Sequence, residues 1–317
     1  MVGNNKFCEV FKVKYPIIQA GMVWCSGYKL ALAATNTGIL GVIGAGSMKE
    51  EVLKEHIQKF KTKSYMPFAV NLPLLYSGVE SQLNIIKEEG VPIVITSAGN
   101  PGLYTKMLQA EGIKVIHVVS SEKFALKAQQ AGVDAIIAEG FEAGGHNGRD
   151  ETTTLVLLQQ LRNKLHIPLI AAGGFATGEA MAAAFMLGVD AVQVGSRFAV
   201  AKESSAHDLF KQAVIEAKEG ATTLTLKELA PVRLLKNKFF EKVQQAYLRQ
   251  ANVEELKGIL GKGRARKGIF EGDLNEGELE IGQVSAIIEQ SETVQEIVND
   301  LISTCNKALA NANNMIL

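Results

Sequence analysis

Cysteine is scarce in this chain. The three thiols, Cys8, Cys25 and Cys305, lie far apart in 317 residues and share no CxxC or metal-ligand spacing. That excludes a disulfide framework and a metal site built on cysteine, and leaves free thiols in a reducing compartment as the expectation. Net charge is missing as well: 33 Lys and Arg balance 33 Asp and Glu, so no global field recruits nucleic acid or an anionic membrane. No apolar run approaches the ~20 residues of a membrane span. The N-terminal MVGNNKFCEV mixes charges and amides where a signal peptide would need an apolar core. A cytoplasmic globular protein is expected, with no nucleic-acid or membrane partner. At 47% hydrophobic residues the chain can bury the core of one large α/β domain with a smaller appendage.

What the sequence does have is a rhythm. Eight short aliphatic runs follow one another: PIIQAG from Pro16, GILGVI from Gly38, PFAVNL from Pro67, PIVITS from Pro92, IKVIHVV from Ile113, DAIIAEG from Asp134, PLIAAGG from Pro168 and DAVQVGS from Asp190. Most are continuously apolar, as parallel strands buried on both faces are. Between them lie stretches of helical periodicity, such as 29–37, 50–61, 121–131 and 154–164. Eight βα units in succession predict a closed (β/α)8 TIM barrel; an open doubly wound sheet usually has fewer strands. After Arg197 the rhythm stops. The expected division is a barrel over 1–201, an inserted mainly helical subdomain over 202–280 covering the active-site face, and C-terminal helices over 281–317 packing back on the barrel. The last helix is expected to start near Ser291, where Val294 three residues on leaves the capping box incomplete but Glu292 favours a helix start.

In such a barrel the chemistry sits just beyond the C-terminal ends of the strands. Gly173-Gly174 and Gly195-Ser196 end the last two runs, where barrels commonly bind a phosphate through backbone N–H groups. Glycines there permit close backbone approach, and Ser196 adds a hydroxyl; tight turns are the plain alternative. Gly21-Met22 after the first run offers a flat apolar seat for a planar ring, although Met more often fills a core. Asn71 and Gln193 present both a donor and an acceptor to a heterocycle, or simply cap turns. Together these residues would surround a phosphate-bearing heteroaromatic cofactor.

The stretch AEGFEAGGHNG, 138–148, ends the sixth run with two carboxylates, four glycines and one histidine. His146 alone among the five histidines stands in a glycine loop at a strand's C-terminal end. His56, His117, His166 and His207 read as structural. An unperturbed imidazole pKa of ~6.5 suits proton transfer beside a cofactor, and no second ligand at metal spacing accompanies His146. Glu139 and Glu142 could orient the imidazole, bind a cofactor hydroxyl, or be solvated loop carboxylates. A glycosidase-type carboxylate pair is disfavoured, because that reaction has no use for the phosphate loops.

AEGFEAGGHNG followed by PLIAAGGFATGEAMAAAFMLGVDAVQVGSRFAVAKES resembles the flavin-dependent enoyl-acyl-carrier-protein reductase II and nitronate monooxygenase superfamily, and the resemblance runs from YPIIQAGM to the terminal helix. It implies FMN on the barrel, with the phosphate held by Gly173, Gly174, Gly195 and Ser196. Gly21 and Met22 would lie along the isoalloxazine, and Asn71, Glu139, Gly144 and Gln193 would complete the flavin contacts. His146 would be the catalytic residue.

Within the superfamily, VIHVVSSEKFA lacks a lysine directly at the end of the fifth strand, and NPGLYTKMLQAEGIKVI, RFAVAKESSAH, VRLLKNKF and GDLNEGELEIGQVSAII look more like the reductase branch. That branch implies reduction of trans-2-enoyl thioesters on acyl carrier protein in the last step of fatty-acid elongation, NADH or NADPH as reductant, a homodimer and activation by a monovalent cation. The alternative is a nitronate monooxygenase using O₂, and a weaker one a non-catalytic flavin-binding protein. The basic cluster Lys257, Lys262, Arg264, Arg266 and Lys267 could dock the acidic carrier protein or reach a nucleotide phosphate. Its plain reading is a solvated loop, partly cancelled by Glu271, Asp273, Glu276, Glu278 and Glu280.

Overall fold

The structure, a computed structural model, describes residues 5–75 and 78–314. Among them are eleven strands: β1 (Ile17–Gln19), β2 (Val42–Gly44), β3 (Ala69–Pro73), β4 (Ile93–Ser97), β5 (Lys114–Val119), β6 (Ala135–Glu139), β7 (Gly145–His146), β8 (Leu169–Ala172), β9 (Ala191–Val194), β10 (Thr222–Thr225) and β11 (Val232–Leu235). Eight of them pair in parallel in the order β1-β9-β8-β6-β5-β4-β3-β2. The two ends meet through a parallel bridge between Ile18 and Leu40. Leu40 donates its N–H to the Ile17 carbonyl and accepts from that of Gln19, both at 3.0 Å. The sheet is therefore a closed (β/α)8 barrel, and its strands coincide with the eight aliphatic runs.

Those runs are apolar throughout because both faces of every strand are buried. Val70, Val94, Val115, Ile136, Leu169 and Val192 face the helical ring. Their neighbours Ala69, Ile93, Ile116, Ile137, Ile170 and Ala191 fill the barrel interior. A short helix, Lys6–Phe11, is capped by the Asn5 side chain and joins the same interior cluster with Phe7 and Phe11, so the N-terminal end of the barrel is plugged. Polar chemistry is left to the opposite end.

The inserted subdomain contains helices Asp208–Ile215, Lys238–Leu248 and Val253–Leu260. It also contains what the helical expectation omitted, an antiparallel hairpin of β10 and β11. Its own apolar cluster comprises Leu226, Val232, Leu234, Phe239, Val243, Ala246 and Leu256. The last helix, Val294–Asn313, starts later than expected, because a complete capping box forms from Thr293 and Glu296 rather than from Ser291. It packs against the barrel helix Gly178–Met186, where any side chain on Gly178 would collide with Thr304 and the Cys305 backbone. Arg197, just after β9, forks onto Glu292 at 2.8 Å and Asp300 at 2.6 Å, fastening the barrel mouth to that helix. No helix among the described residues is long and apolar enough to cross a membrane.

Candidate active site

Beyond β1 the chain turns sharply. The Ser26 hydroxyl accepts the Met22 N–H at 2.9 Å and donates to the Ala20 carbonyl at 2.8 Å, which fixes Gly21 and Met22 at the barrel mouth. Gly21 lies against the Asn71 side chain so closely that no Cβ would fit. Asn71 spends one amide hydrogen on the Ile95 carbonyl at 3.1 Å. Across the mouth, Met22 Sδ lies 3.7 Å from where a Cβ on Gly195 would stand. Gly21, Met22, Asn71 and Gly195 thus converge as the sequence predicts.

Two polar side chains at this mouth have no hydrogen-bond partner among the described residues. Gln193 is 8% exposed, and Glu139 ends β6 with its carboxyl pKa raised to about 7 by burial. Buried polar groups are ordinarily bonded, so an orphaned amide and carboxyl in one row of the barrel, on either side of Ala172 of β8, mark a place where a polar ligand completes the bonding. The glycine loops supply the other half of such a site. Gly173 and Gly174 both take left-handed backbone, φ +86° and +84°, and a Cβ on Gly173 would stand 2.7 Å from the Gly140 carbonyl oxygen. Gly195 precedes the short helix Ser196–Ala199, whose first N–H groups lack intrahelical acceptors. Ser196 Oγ accepts the Gly282 N–H at 3.1 Å, leaving its hydroxyl hydrogen to donate. The donor set fits a phosphorylated ring cofactor such as FMN. Gly144 packs against the backbone of Ile281 and Gly282 so closely that no side chain would fit, and Gly282 is the residue bonded to Ser196.

The loop between β6 and β8 carries His146, and the insert holds that loop in place. β7 pairs antiparallel with β11, Val232 opposite His146 and Arg233 opposite Gly145. Arg233, 2% exposed, donates from Nε to the Phe141 carbonyl at 3.0 Å and covers the Phe141 ring at 5.0 Å. Arg149 donates to the carbonyls of Lys227 and Leu229, both at 2.9 Å. Glu142 has a structural task. Its carboxylate accepts the Thr154 N–H at 2.9 Å and the Thr154 hydroxyl at 3.0 Å, capping the helix Thr154–Leu161 rather than orienting the imidazole.

His146 opens onto a cavity of about 710 Å³ between the barrel mouth and the insert. Its walls are largely apolar, with Val23, Trp24, Leu226, Leu229, Val232, Val253 and Leu260, and Lys257, Arg264 and Arg266 also line it. Desolvation holds the His146 pKa below its ordinary value, opposed by the Glu278 carboxylate. Three of the other histidines have structural tasks: His117 is bonded to Thr96 Oγ1 at 2.7 Å and depressed by burial to about 4, while His56 accepts the Tyr28 N–H at 3.0 Å and His207 caps the helix Asp208–Ile215; His166 is exposed, away from the barrel mouth.

Sequence reasoning missed Trp24, Glu278 and Glu280. Trp24 lines the cavity with φ +62°, a strained backbone for a bulky residue. Glu278 and Glu280 were read as part of a solvated acidic run, yet both line the cavity beside His146. Burial raises the pKa of each to about 7. Alternation in GELEIG, with Leu279 and Ile281 buried, was the available signal for an ordered strand-like segment. The basic cluster is also less free than expected. Arg264 donates to the carbonyls of Ile259, Leu260 and Glu276 at 2.7–2.9 Å and lies over Phe239 at 4.4 Å. Lys257 pairs with Glu254, and Arg266 with Glu271.

Comparison with known proteins places these features in context. A family model described as nitronate monooxygenase matches residues 4–77 and 74–304. The solved structure of FabK from Thermotoga maritima superposes with a TM-score of 0.94 at 36% identity, covering 99% of both chains. A protein of Staphylococcus saprophyticus named "Probable nitronate monooxygenase" is 30% identical over 76% of this chain and 81% of its own. A Rhodococcus jostii protein named as a (3aS,4S,5R,7aS)-5-hydroxy-7a-methyl-1-oxo-octahydro-1H-indene-4-carboxyl-CoA dehydrogenase is 27% identical over 95% of each chain.

Proposed function

The chain belongs to the nitronate monooxygenase family and is a flavin-dependent oxidoreductase, and from that premise we propose that it reduces trans-2-enoyl thioesters with NADH or NADPH. The observation that carries this reading is the cavity of about 710 Å³ over His146. Its size and long apolar wall suit an acyl chain on a thioester arm better than a small nitronate. The R. jostii relative is named for a CoA thioester, and the likeness to FabK accords with the reductase branch to which the motifs point.

FMN, when bound, would supply the hydride chemistry between the reduced nicotinamide and the β-carbon of the acyl chain. The protein holds, orients and protonates. Gly173, Gly174, Gly195 and Ser196 would hold the phosphate, Gly21 and Met22 the ring face, and Asn71, Glu139 and Gln193 its polar edge. The apolar walls at Leu226, Leu229 and Val232 exclude water from the reacting chain. His146 donates a proton to the α-carbon as charge develops there, an effect typically worth about 10²- to 10⁴-fold. The proposed acyl-carrier docking then rests on Lys262 and Lys267, since Arg264 is committed to the insert's own backbone and Lys257 and Arg266 to Glu254 and Glu271.

Nitronate oxidation is the second reading, favoured by the family model and the S. saprophyticus relative. Anaerobic mixing of the yellow protein with NADH or NADPH separates the two. The reductase reading expects rapid bleaching and recolouring by a crotonyl thioester. Inertness to both nucleotides, with turnover of a nitronate in air, would replace it.

A further inference from the structure

His146 and Glu280 lie along one edge of the same strand. His146 stands opposite Val232 of β11, and two residues further on Leu234 bridges antiparallel to Glu280, while the Leu235 N–H donates to the Leu279 carbonyl at 2.9 Å. Residues two apart on a strand point to the same face, and directly opposed residues share it. His146 and Glu280 therefore leave the sheet on one side. Gly145 lets them approach: a Cβ there would stand 2.9 Å from Glu280 Oε2. Glu278 is 9% exposed and opens into the same cavity. Neither carboxyl has a hydrogen-bond partner among the described residues, so both keep their oxygens for whatever enters the cavity.

We propose that Glu278 is the positioning residue that resupplies His146, through water in the cavity both line, with the proton it gives to the acyl chain. The inference rests on the thioester reading of the site. A water in the cavity takes the Glu278 proton as it gives one of its own to the imidazole, so the Glu278 O–H bond breaks, the water exchanges one O–H bond for another, and an imidazole N–H bond forms. The imidazolium proton goes to the acyl α-carbon while the hydride goes to the β-carbon, and the Glu278 carboxylate regains a proton from water at the cavity mouth. Nothing in the relay is oxidised or reduced.

The electrostatics of the cavity support this arrangement. Burial is the main cause of the raised Glu278 pKa, about 7; Glu280 raises it further, and His146 and Arg264 oppose. Glu228, Lys257 and Arg266 line the same cavity. Conversely the Glu278 carboxylate favours the imidazolium form of His146. The protonation of each group thus depends on that of the other.

The test uses Glu278→Gln and Glu280→Gln in the flavin-loaded protein, with two readouts. In the first, the His146 imidazole is titrated by NMR without substrate. Glu278→Gln is expected to lower its midpoint, because a carboxylate that favours the cation is gone. In the second, stopped-flow mixing follows nucleotide bleaching and thioester recolouring separately. Glu278→Gln is expected to slow recolouring at pH 7 on the order of tenfold and leave bleaching unchanged. Glu280→Gln is expected to move the high-pH fall in recolouring to lower pH, because Glu278 then ionises more readily. An unmoved His146 midpoint in Glu278→Gln overturns the coupling, whatever the substrate. Wild-type recolouring rates and pH profile in both variants overturn the relay. If the wild-type protein is not recoloured by a thioester, the functional reading falls and the relay with it, while the NMR midpoint still decides the coupling alone.

Discussion

His146 stands directly opposite Val232 in the pairing of β7 with β11. The barrel supplies the loop that carries the imidazole, but a strand of the insert sets its position. The imidazole and the cavity wall are therefore held by different parts of the chain, and a perturbation in the insert should reach the proposed chemistry without touching the glycine loops.

Arg233→Met tests that separation. It removes the charged hydrogen bond to the Phe141 carbonyl and leaves that carbonyl to find water. The expected loss is about 1.5–3 kcal/mol of stability, seen in urea unfolding, with slower thioester recolouring and normal bleaching by nucleotide. Equal slowing of both half-reactions would contradict the division.

Gly174→Ala tests the phosphate loops. The space is there, since the nearest atom to a new Cβ is Glu142 Cβ at 3.6 Å, but φ is +84°, which costs a non-glycine residue about 1–2 kcal/mol. Gly132 has nearly the same φ, +83°, and nothing within 4 Å of a new Cβ. Both variants should lose similar thermal stability without cofactor, whereas only Gly174→Ala should weaken FMN affinity by titration. Equal FMN affinity in the two variants would remove Gly174 from the cofactor site.

Glu142→Gln distinguishes a helix cap from an imidazole partner. Weakening the cap on Thr154–Leu161 should cost on the order of 1 kcal/mol and leave the NMR titration of His146 unmoved. A shifted midpoint would restore Glu142 to the catalytic group.

The buried carboxyls also set a pH dependence of stability. Glu139, Glu278 and Glu280 are raised to about 7 in the folded protein, above the 4.5 of a free glutamate. Their contribution is therefore fully present below pH 4.5 and is lost as pH rises through 7. Glu278→Gln should gain stability over the parent, by an amount of order 1–3 kcal/mol, at pH 8 but not at pH 4. Thermal melts of the cofactor-free proteins at the two pH values check it. His117, depressed to about 4, runs oppositely: its contribution is present above pH 6.5 and lost as pH falls through 4, alike in both proteins.

How much of this was legible in the sequence follows from how local each signal is. The barrel announced itself because every strand is buried on both faces, so Ile136 and Ile137 can be adjacent and both apolar. The position of Gly173, Gly174, Gly195 and Ser196 just beyond β8 and β9 was legible because the end of an aliphatic run is a local signal. The placement of Glu278 and Glu280 was not. It depends on a bridge from Leu234 to Glu280 across a subdomain whose hairpin, β10 and β11, sits among charged helical segments. Glu142 was ambiguous for the same reason, since its partner Thr154 is brought near only by the turn of the loop.

His146 is proposed to protonate the acyl chain on a flavin-bearing barrel. The most direct measurement is the rate at which a crotonyl thioester restores the yellow colour of anaerobically bleached protein, compared between the parent and His146→Ala. The account predicts unchanged FMN content and unchanged bleaching by nucleotide, with recolouring slowed about 10²-fold or more. Recolouring of His146→Ala at the parent's rate would contradict it.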